Sequence, residues 1–202
     1  MTAPVSRPTP VLDQKSTILA AAIKILHERG AGALTVRSVA SLAGCSTTGV
    51  YTWFGGKNGL VEAIFIDGFE RFGQALIEVR ARTAADAALV ALATAYREWA
   101  LANPTHYMVM FGRAVPGFEA GPEALLQARS TFTELVEVTD ETMRRRGVEG
   151  SAHDTAHHIW AGIHGYVSLE LAGMGMTIDS DGHRRRFEEG LRLLAKACLA
   201  PN

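Results

Sequence analysis

The fold is decided by residues 34–60, which run LTVRSVASLAGCSTTGVYTWFGGKNGL. Apolar residues recur at helical spacing over about residues 35–43, and Gly44 stands where such a helix would end. Ser46 is a favourable N-cap residue for a further short helix over about residues 47–53. Two short helices joined by a tight turn that contains glycine are typical of a helix-turn-helix, so this stretch predicts that motif.

The rest of the chain also carries helical apolar spacing, and no convincing strand pattern occurs. About nine helices are predicted, including a long one from Lys57 to about Arg80. The predicted fold is all-α, with an N-terminal three-helix domain that contains the helix-turn-helix and a larger helical C-terminal half. A plain helical hairpin with a central glycine would give a similar pattern, so the motif alone leaves that alternative open.

Composition and charge narrow the function classes only partly. The 202 residues are 48% hydrophobic and 20% charged, as expected of a globular protein rather than a disordered chain. No apolar stretch is long enough for a membrane span, and the N-terminus lacks the apolar core of a secretory signal. Two unclustered cysteines fit a reducing compartment, so a cytoplasmic protein without membrane contact is expected. The net charge of −1 gives no global sign of nucleic-acid binding, which must be argued from local geometry.

In a helix-turn-helix, the second helix of the motif lies in the major groove of DNA. Its exposed positions here carry short residues that allow close approach to base edges: Thr47, Thr48, Gly49 and Thr52. Tyr51 and Lys57 can donate hydrogen bonds to phosphates and so fix the register on the duplex.

The same stretch resembles the tetracycline-repressor (TetR) family, over about residues 12–72. That family shows an L-T-x-R-x-[IV]-A opening, an A-G-V-S turn, and Y-x-x-F followed by K and x-x-L. The matching residues are Leu34, Thr35, Arg37, Val39, Ala40, Ala43, Gly44, Ser46, Tyr51, Phe54, Lys57 and Leu60. Cys45 departs from the branched apolar residue of the turn, and Gly56 replaces a small polar cap.

The resemblance implies roles for individual residues. Thr35 and Arg37 contact DNA near the start of the second helix, and the reading face consists of Thr47, Thr48 and Gly49. The residues that would contact the DNA backbone are Tyr51, Thr52 or Trp53, and Lys57. Ala40, Val50 and Phe54 would have structural roles. It further implies a homodimer on a palindromic double-stranded operator and a repressor that a small-molecule effector releases. The domains would be an arm at 1–11, a DNA-binding domain at 12–72 with its helix-turn-helix at 35–54, and a sensing and dimerisation domain at 80–202.

The C-terminal half gives weaker signals. Residues 160–165 resemble a W-x-x-x-H-G signature of one TetR subgroup, which implies pairing through helices near residues 151–172 and 181–199. Aromatic residues of this half could line an apolar ligand pocket, although ordinary core packing is the alternative for each. The candidates are Tyr96, Trp99, Tyr107, Phe111, Trp160 and His164. His164 is also expected to be a buried, hydrogen-bonded residue.

Other function classes find little support. His153 and His157 are four residues apart, but no further zinc ligands accompany them, so no metal site and no cofactor are expected. A small helical enzyme using His157, His164 and Glu170 lacks a nucleophile, base and orienting group at recognisable spacing. An effector-independent architectural DNA binder would not need so large a second half.

Overall fold

The computed structural model describes residues 11–174 and 179–200, and every regular element within them is helical. In chain order, the helices of this part are α1 (Val11–Arg29), α2 (Val36–Ala43), α3 (Thr47–Phe54), α4 (Lys57–Ala81), α5 (Ala88–Ala102), α6 (Pro104–Phe111), α7 (Pro122–Arg146), α8 (Ala152–Leu171) and α9 (Ser180–Cys198), with a short 3-10 helix at Ala31–Ala33. The predicted all-α fold is therefore confirmed. Of the arm predicted at 1–11, the first ten residues lie outside the described residues.

The chain forms two compact units that do not follow the order of the sequence. One unit contains the described part of Met1–Asp67 together with Thr105–Gly121. The other contains Gly68–Pro104 and the described part of Pro122–Asn202. The change from one unit to the other falls inside α4. The domain boundaries expected at residues 72 and 80 stay predictions.

The first unit has a core to which α1, α2, α3 and the beginning of α4 all contribute. Its fully or almost fully buried side chains are Ile18, Ile25, Leu34, Val39, Val50, Leu60 and Ile64. Burying an aliphatic side chain of this size contributes about 1.5–3 kcal/mol, so this cluster stabilises the packing of the short helices.

The segment Thr105–Gly121 joins the first unit through specific polar contacts. The His106 ring nitrogen Nε2 lies 3.0 Å from a carboxylate oxygen of Asp67, and both side chains are largely shielded from solvent. At the other end of the segment, the backbone N–H of Gly121 donates to the Glu62 carboxylate over 2.9 Å. These contacts bind α6 and the loop after it to the first part of α4, although they are distant in sequence.

The second unit contains a bidentate ion pair near its core. Nε and Nη2 of Arg97 on α5 donate to the two carboxylate oxygens of Glu170 on α8, over 2.8 and 2.6 Å. The Arg97 guanidinium also lies 5.8 Å from the ring centre of Phe187 on α9, and Phe187 meets Tyr166 edge to face. Because an arginine fork satisfies both carboxylate oxygens at once, this pair fixes the register of α5 against α8.

The end of α4 is tied to α7 within the second unit. Arg80 Nη1 donates to carboxylate oxygens of Glu134 and Glu137, over 2.8 and 2.7 Å. The hydrogen bonds to Glu137 and Glu134 raise the pKa of Arg80 above its ordinary value. Closer to the middle of α4, Gly73 faces Thr131 with so little room that a methyl group on Gly73 would come within 3.0 Å of the Thr131 side chain.

None of the helices in the described part of the chain has the length and apolar character needed to cross a membrane.

Candidate nucleic-acid interface

A capping box formed by Thr35 and Ser38 starts α2. The Thr35 hydroxyl oxygen accepts from the Ser38 backbone N–H over 3.0 Å, and the Thr35 N–H donates to the Ser38 hydroxyl oxygen over 3.0 Å. This arrangement satisfies two backbone donors that the first turn of a helix leaves without partners. Thr35 therefore has a structural role at the place where the family resemblance implies a DNA contact, and Arg37 lies two residues on with its side chain exposed.

The turn between α2 and α3 is built by Gly44 and Ser46. Gly44 has a left-handed backbone with φ of 66°, a conformation that costs glycine little, and both its N–H and that of Cys45 donate to the Ala40 carbonyl. The Ser46 hydroxyl then accepts from the Gly49 N–H over 3.1 Å and caps α3. The predicted stop at Gly44 and start at Ser46 are both confirmed, and Cys45 is half-buried in the turn.

One face of α3 is buried and the other is open to solvent. Val50 and Phe54 point into the core, with exposed fractions of 0% and 8%, whereas Tyr51 is 57% exposed. Of the other predicted reading and contact residues, Thr47, Thr48 and Thr52 are exposed and Gly49 and Trp53 are half-buried. The predicted DNA-contacting residues of α3 thus lie on the surface that a duplex could reach.

Some of these side chains already make contacts within the protein. The Thr52 hydroxyl donates to the Thr48 carbonyl over 2.9 Å, so its hydrogen is used inside the helix. Lys57 Nζ, at the start of α4, donates to the Ala31 carbonyl over 3.2 Å, and an ammonium group has two further hydrogens to offer. Lys57 is therefore held beside the 3-10 helix and keeps donors for a phosphate.

The Trp53 indole reveals a contact that sequence reasoning missed. Its Nε1–H donates to the side-chain carbonyl of Gln14 on α1 over 3.5 Å. No local motif marks Gln14, because its proximity to α3 arises from the packing of α1 against the helix-turn-helix.

The local charge of this region differs from that of the whole chain. Residues 29–61 contain Arg29, Arg37 and Lys57 and no Asp or Glu. A scan of charge along the sequence would have found this segment, which the net charge of −1 conceals. Since a duplex carries about one negative charge per 1.7 Å of its axis, a segment with three positive charges and no acidic residue favours its approach.

Four of the six predicted ligand-binding residues belong to the second unit. Tyr96 is buried, and its hydroxyl lies 3.0 Å from His164 Nδ1, while Ser168 Oγ lies 3.2 Å from His164 Nε2. The Trp160 ring lies 5.5 Å from that of His164. Trp99 joins the cluster through Phe72, whose ring lies 5.1 Å from the rings of both Trp99 and Tyr96. His164 is half-buried, so the expectation of a buried residue is wrong, whereas its predicted hydrogen bonding is confirmed. Its partial burial lowers the pKa of the ring below the ordinary value.

The other two candidates, Tyr107 and Phe111, belong to the first unit, where their rings lie 5.0 Å apart. The second unit also contains a small cavity of about 150 Å³ between the end of α8 and the start of α9, and its lining includes none of the six candidates. Within the described residues, no group of three or more His, Cys, Asp or Glu side chains is arranged to hold a metal ion.

Comparison with known proteins identifies the family to which this helix-turn-helix and the helices after it belong. A family model described as "Bacterial regulatory proteins, tetR family" matches residues 18–64, and one described as "Tetracyclin repressor-like, C-terminal domain" matches residues 89–194. The chain belongs to the TetR family. The resemblance inferred from residues 34–60 is thereby confirmed, and the W-x-x-x-H-G subgroup stays a prediction.

Individual TetR-family relatives show the same relationship. The HTH-type transcriptional regulator Rv1816 of Mycobacterium tuberculosis is 29% identical over 101 residues, which cover 48% of this chain and 43% of that protein. The match thus spans less than half the length of that relative. Another protein of M. tuberculosis, the uncharacterized HTH-type transcriptional regulator Rv0681, is 26% identical over 178 residues, covering 88% of this chain and 78% of its own. The solved structure of the protein SCO4313 superposes with a TM-score of 0.78 and 27% identity, covering 94% of this chain and 98% of that one.

Proposed function

We propose that this chain is a sequence-specific DNA-binding transcriptional regulator, a repressor that a small-molecule effector releases from its operator. The observation that carries the proposal is the surface of α3. Its buried face anchors the helix through Val50 and Phe54, and its open face offers short polar residues and Tyr51. This surface belongs to the segment without acidic residues, which favours contact with DNA.

In this proposal the residues of the motif divide into two groups. Thr47, Thr48 and Gly49, at the N-terminal end of α3, face base edges in the major groove, where short side chains permit close approach. The contacts with the sugar-phosphate backbone are assigned to Arg37, to Tyr51, to Thr52 or Trp53, and to Lys57, with Thr35 at the N-terminus of α2. Phosphate contacts supply affinity and register but no direct sequence information, so the two groups should respond differently to substitution.

The proposed homodimer uses the exposed apolar side chains of α8 and α9. Leu169 on α8 and Leu193 on α9 are 50% and 63% exposed, and these are the two helices through which the resemblance implies pairing. A second copy that covers them would give two recognition helices, suited to half-sites about 34–36 Å apart on a palindromic operator. Because the operator is chromosomal DNA, the proposal places the protein in the cytoplasm.

The proposed effector site is the aromatic cluster of the second unit. Tyr96, Trp99, Trp160 and His164 combine ring surfaces with a hydrogen-bonding pair, the mixture typical of sites for small organic molecules. An effector can release DNA only if it binds the DNA-free state more tightly than the DNA-bound one. Since α4 contributes residues to both units, it is the element through which we propose that this preference is transmitted.

The test is a salt-titrated binding assay of the full chain against DNA from upstream of its own gene. Saturable binding at nanomolar concentration, by a species of twice the chain mass and with a steep fall in affinity as salt rises, would support the proposal. Arg37→Ala should weaken this binding, whereas Arg129→Ala, which removes an exposed arginine of α7, should leave it unchanged.

Equal weak binding to every sequence, followed by failure of a random-sequence selection to enrich a site, would contradict the proposal. The helix-turn-helix would then be a structural hairpin. Binding that no small apolar or aromatic compound alters would contradict only the effector part and would favour an architectural DNA binder.

A further inference from the structure

The side chain of Gln14 on α1 lies across the surface of α3 between two residues of one face. Its carbonyl oxygen accepts from Trp53 Nε1–H over 3.5 Å. Its amide nitrogen is 3.8 Å from the point that a Cβ atom on Gly49 would occupy. Gly49 and Trp53 are four residues apart and so are neighbours on the same side of the helix. The Gln14 amide therefore lies along the side of α3 that carries Gly49 and Trp53.

The backbone does not explain why position 49 is glycine. Gly49 has ordinary helical geometry, and a methyl group there would meet only Ser46 Oγ at 3.6 Å and Gln14 Nε2 at 3.8 Å. Both are normal van der Waals distances, so alanine would fit. A longer side chain would compete for the space that the Gln14 amide occupies. A small residue at position 49 thus leaves room for Gln14 to reach Trp53.

We infer that Gln14 is a positioning residue for DNA binding: it accepts a hydrogen bond from the N–H of the Trp53 indole and so orients the ring, which is left to contact the sugar-phosphate backbone through its apolar edge. The inference rests on the proposed DNA-binding function. An indole has a single hydrogen-bond donor, so one acceptor on a neighbouring helix selects among its side-chain orientations. A side chain ordered before binding loses less conformational entropy when DNA arrives, and affinity rises accordingly.

A double-mutant cycle on the full chain tests this inference. Gln14→Leu removes the acceptor while keeping much of the side-chain volume, and Trp53→Phe removes the donor while keeping an aromatic ring. Each should weaken operator binding about two- to threefold, the lower end of the range for the loss of one hydrogen bond, because 3.5 Å is long for an N–H···O contact. The double variant should bind no worse than the weaker single variant, because both substitutions break the same contact.

Two controls separate positioning from a general effect on folding. Gln74→Leu removes an exposed glutamine of α4 that bonds within its own helix to Glu78, and it should leave operator binding unchanged alone and add nothing to Trp53→Phe. The urea unfolding midpoints of the Gln14 variants should match that of the wild type, because Gln14 is exposed. Gln14→Ala repeats the cycle with a smaller residue, so that a poorly folding leucine variant does not decide the result.

The outcomes distinguish this inference from the proposed function. If the wild-type chain shows no specific DNA binding, the regulator proposal fails and the role of Gln14 with it. If the wild type binds its operator but Gln14→Leu and Gln14→Ala bind equally well, or if their effects add fully to that of Trp53→Phe, only the inference about Gln14 is overturned.

Discussion

Two glycines of the first unit, Gly49 and Gly59, should respond in opposite ways to alanine. A Cβ atom on Gly59 would lie 1.7 Å from the Phe54 carbonyl oxygen and 2.8 Å from its carbonyl carbon. Both are backbone atoms at the end of α3 and cannot rotate away. Gly59→Ala therefore requires the beginning of α4 to move away from α3, which disturbs the packing of Phe54 in the core.

The magnitude follows from opposing contributions. Replacing a helical glycine by alanine stabilises a helix by about 0.5–1 kcal/mol. Overpacking of a well-packed contact costs about 1–3 kcal/mol, and the backbone contact at Gly59 places it at the upper end of that range. We expect Gly59→Ala to lower the free energy of unfolding by about 2 kcal/mol. For Gly49→Ala no clash opposes the helical gain, so the free energy of unfolding should rise by about 0.5–1 kcal/mol.

The measurement is urea denaturation of the wild type and both variants, followed by circular dichroism. The same samples are titrated with operator DNA; because Gly49 belongs to the proposed reading face, the stabilised Gly49→Ala chain should bind more weakly. Wild-type stability for Gly59→Ala would refute the close approach of α4 to the end of α3. A destabilised Gly49→Ala would refute the conclusion that the fold itself does not require this glycine.

Three further substitutions test the proposed site and the chemistry of the second unit. Lys57→Ala should weaken binding to all DNA sequences and reduce the slope of log affinity against log salt by about one; an unchanged slope would mean that Lys57 contacts only the Ala31 carbonyl. Thr48→Ala should change the preferred operator sequence in a random-site selection, and an identical profile would remove it from the reading face. Burial lowers the pKa of His164, so the folded state binds fewer protons than the unfolded state below about pH 6.5. The contribution of this residue to the free energy of unfolding is therefore complete above that pH. It is lost as the pH falls through the folded-state pKa. His164→Gln should therefore flatten the acid side of the stability profile measured by urea unfolding, and a profile as steep as that of the wild type would exclude His164 as its source.

The helix-turn-helix could be located from sequence because its signals are local. A glycine in the left-handed region ends α2 at Gly44, and a serine side chain starts α3 at Ser46. Each feature depends on residues within four positions of itself. The expected motif at 35–54 and the observed pair α2 and α3 therefore agree closely.

The candidate ligand residues show that local sequence patterns do not predict which helices pack together. The sequence predicts Tyr107 and Phe111 as pocket residues together with Tyr96 and His164, because all are aromatic and belong to the second half of the chain. The structure assigns α6 to the first unit, through contacts such as His106 with Asp67, thirty-nine positions apart. Such pairings depend on how whole helices pack, and no periodicity in the sequence encodes them. The contact of Gln14 with Trp53 could not be predicted for the same reason.

The charge of the chain shows why a global property can conceal a local function. Residues 29–61 carry three positive charges and the whole chain carries a net −1, so the remaining residues carry a net −4. A duplex approaching the protein is attracted by the segment that contains α2 and α3 and repelled by the remainder. Opposite charge on different parts of one molecule orients an encounter as well as strengthening it. A modest cationic segment in a slightly acidic chain therefore favours presentation of the recognition helix to DNA and disfavours attachment through other surfaces.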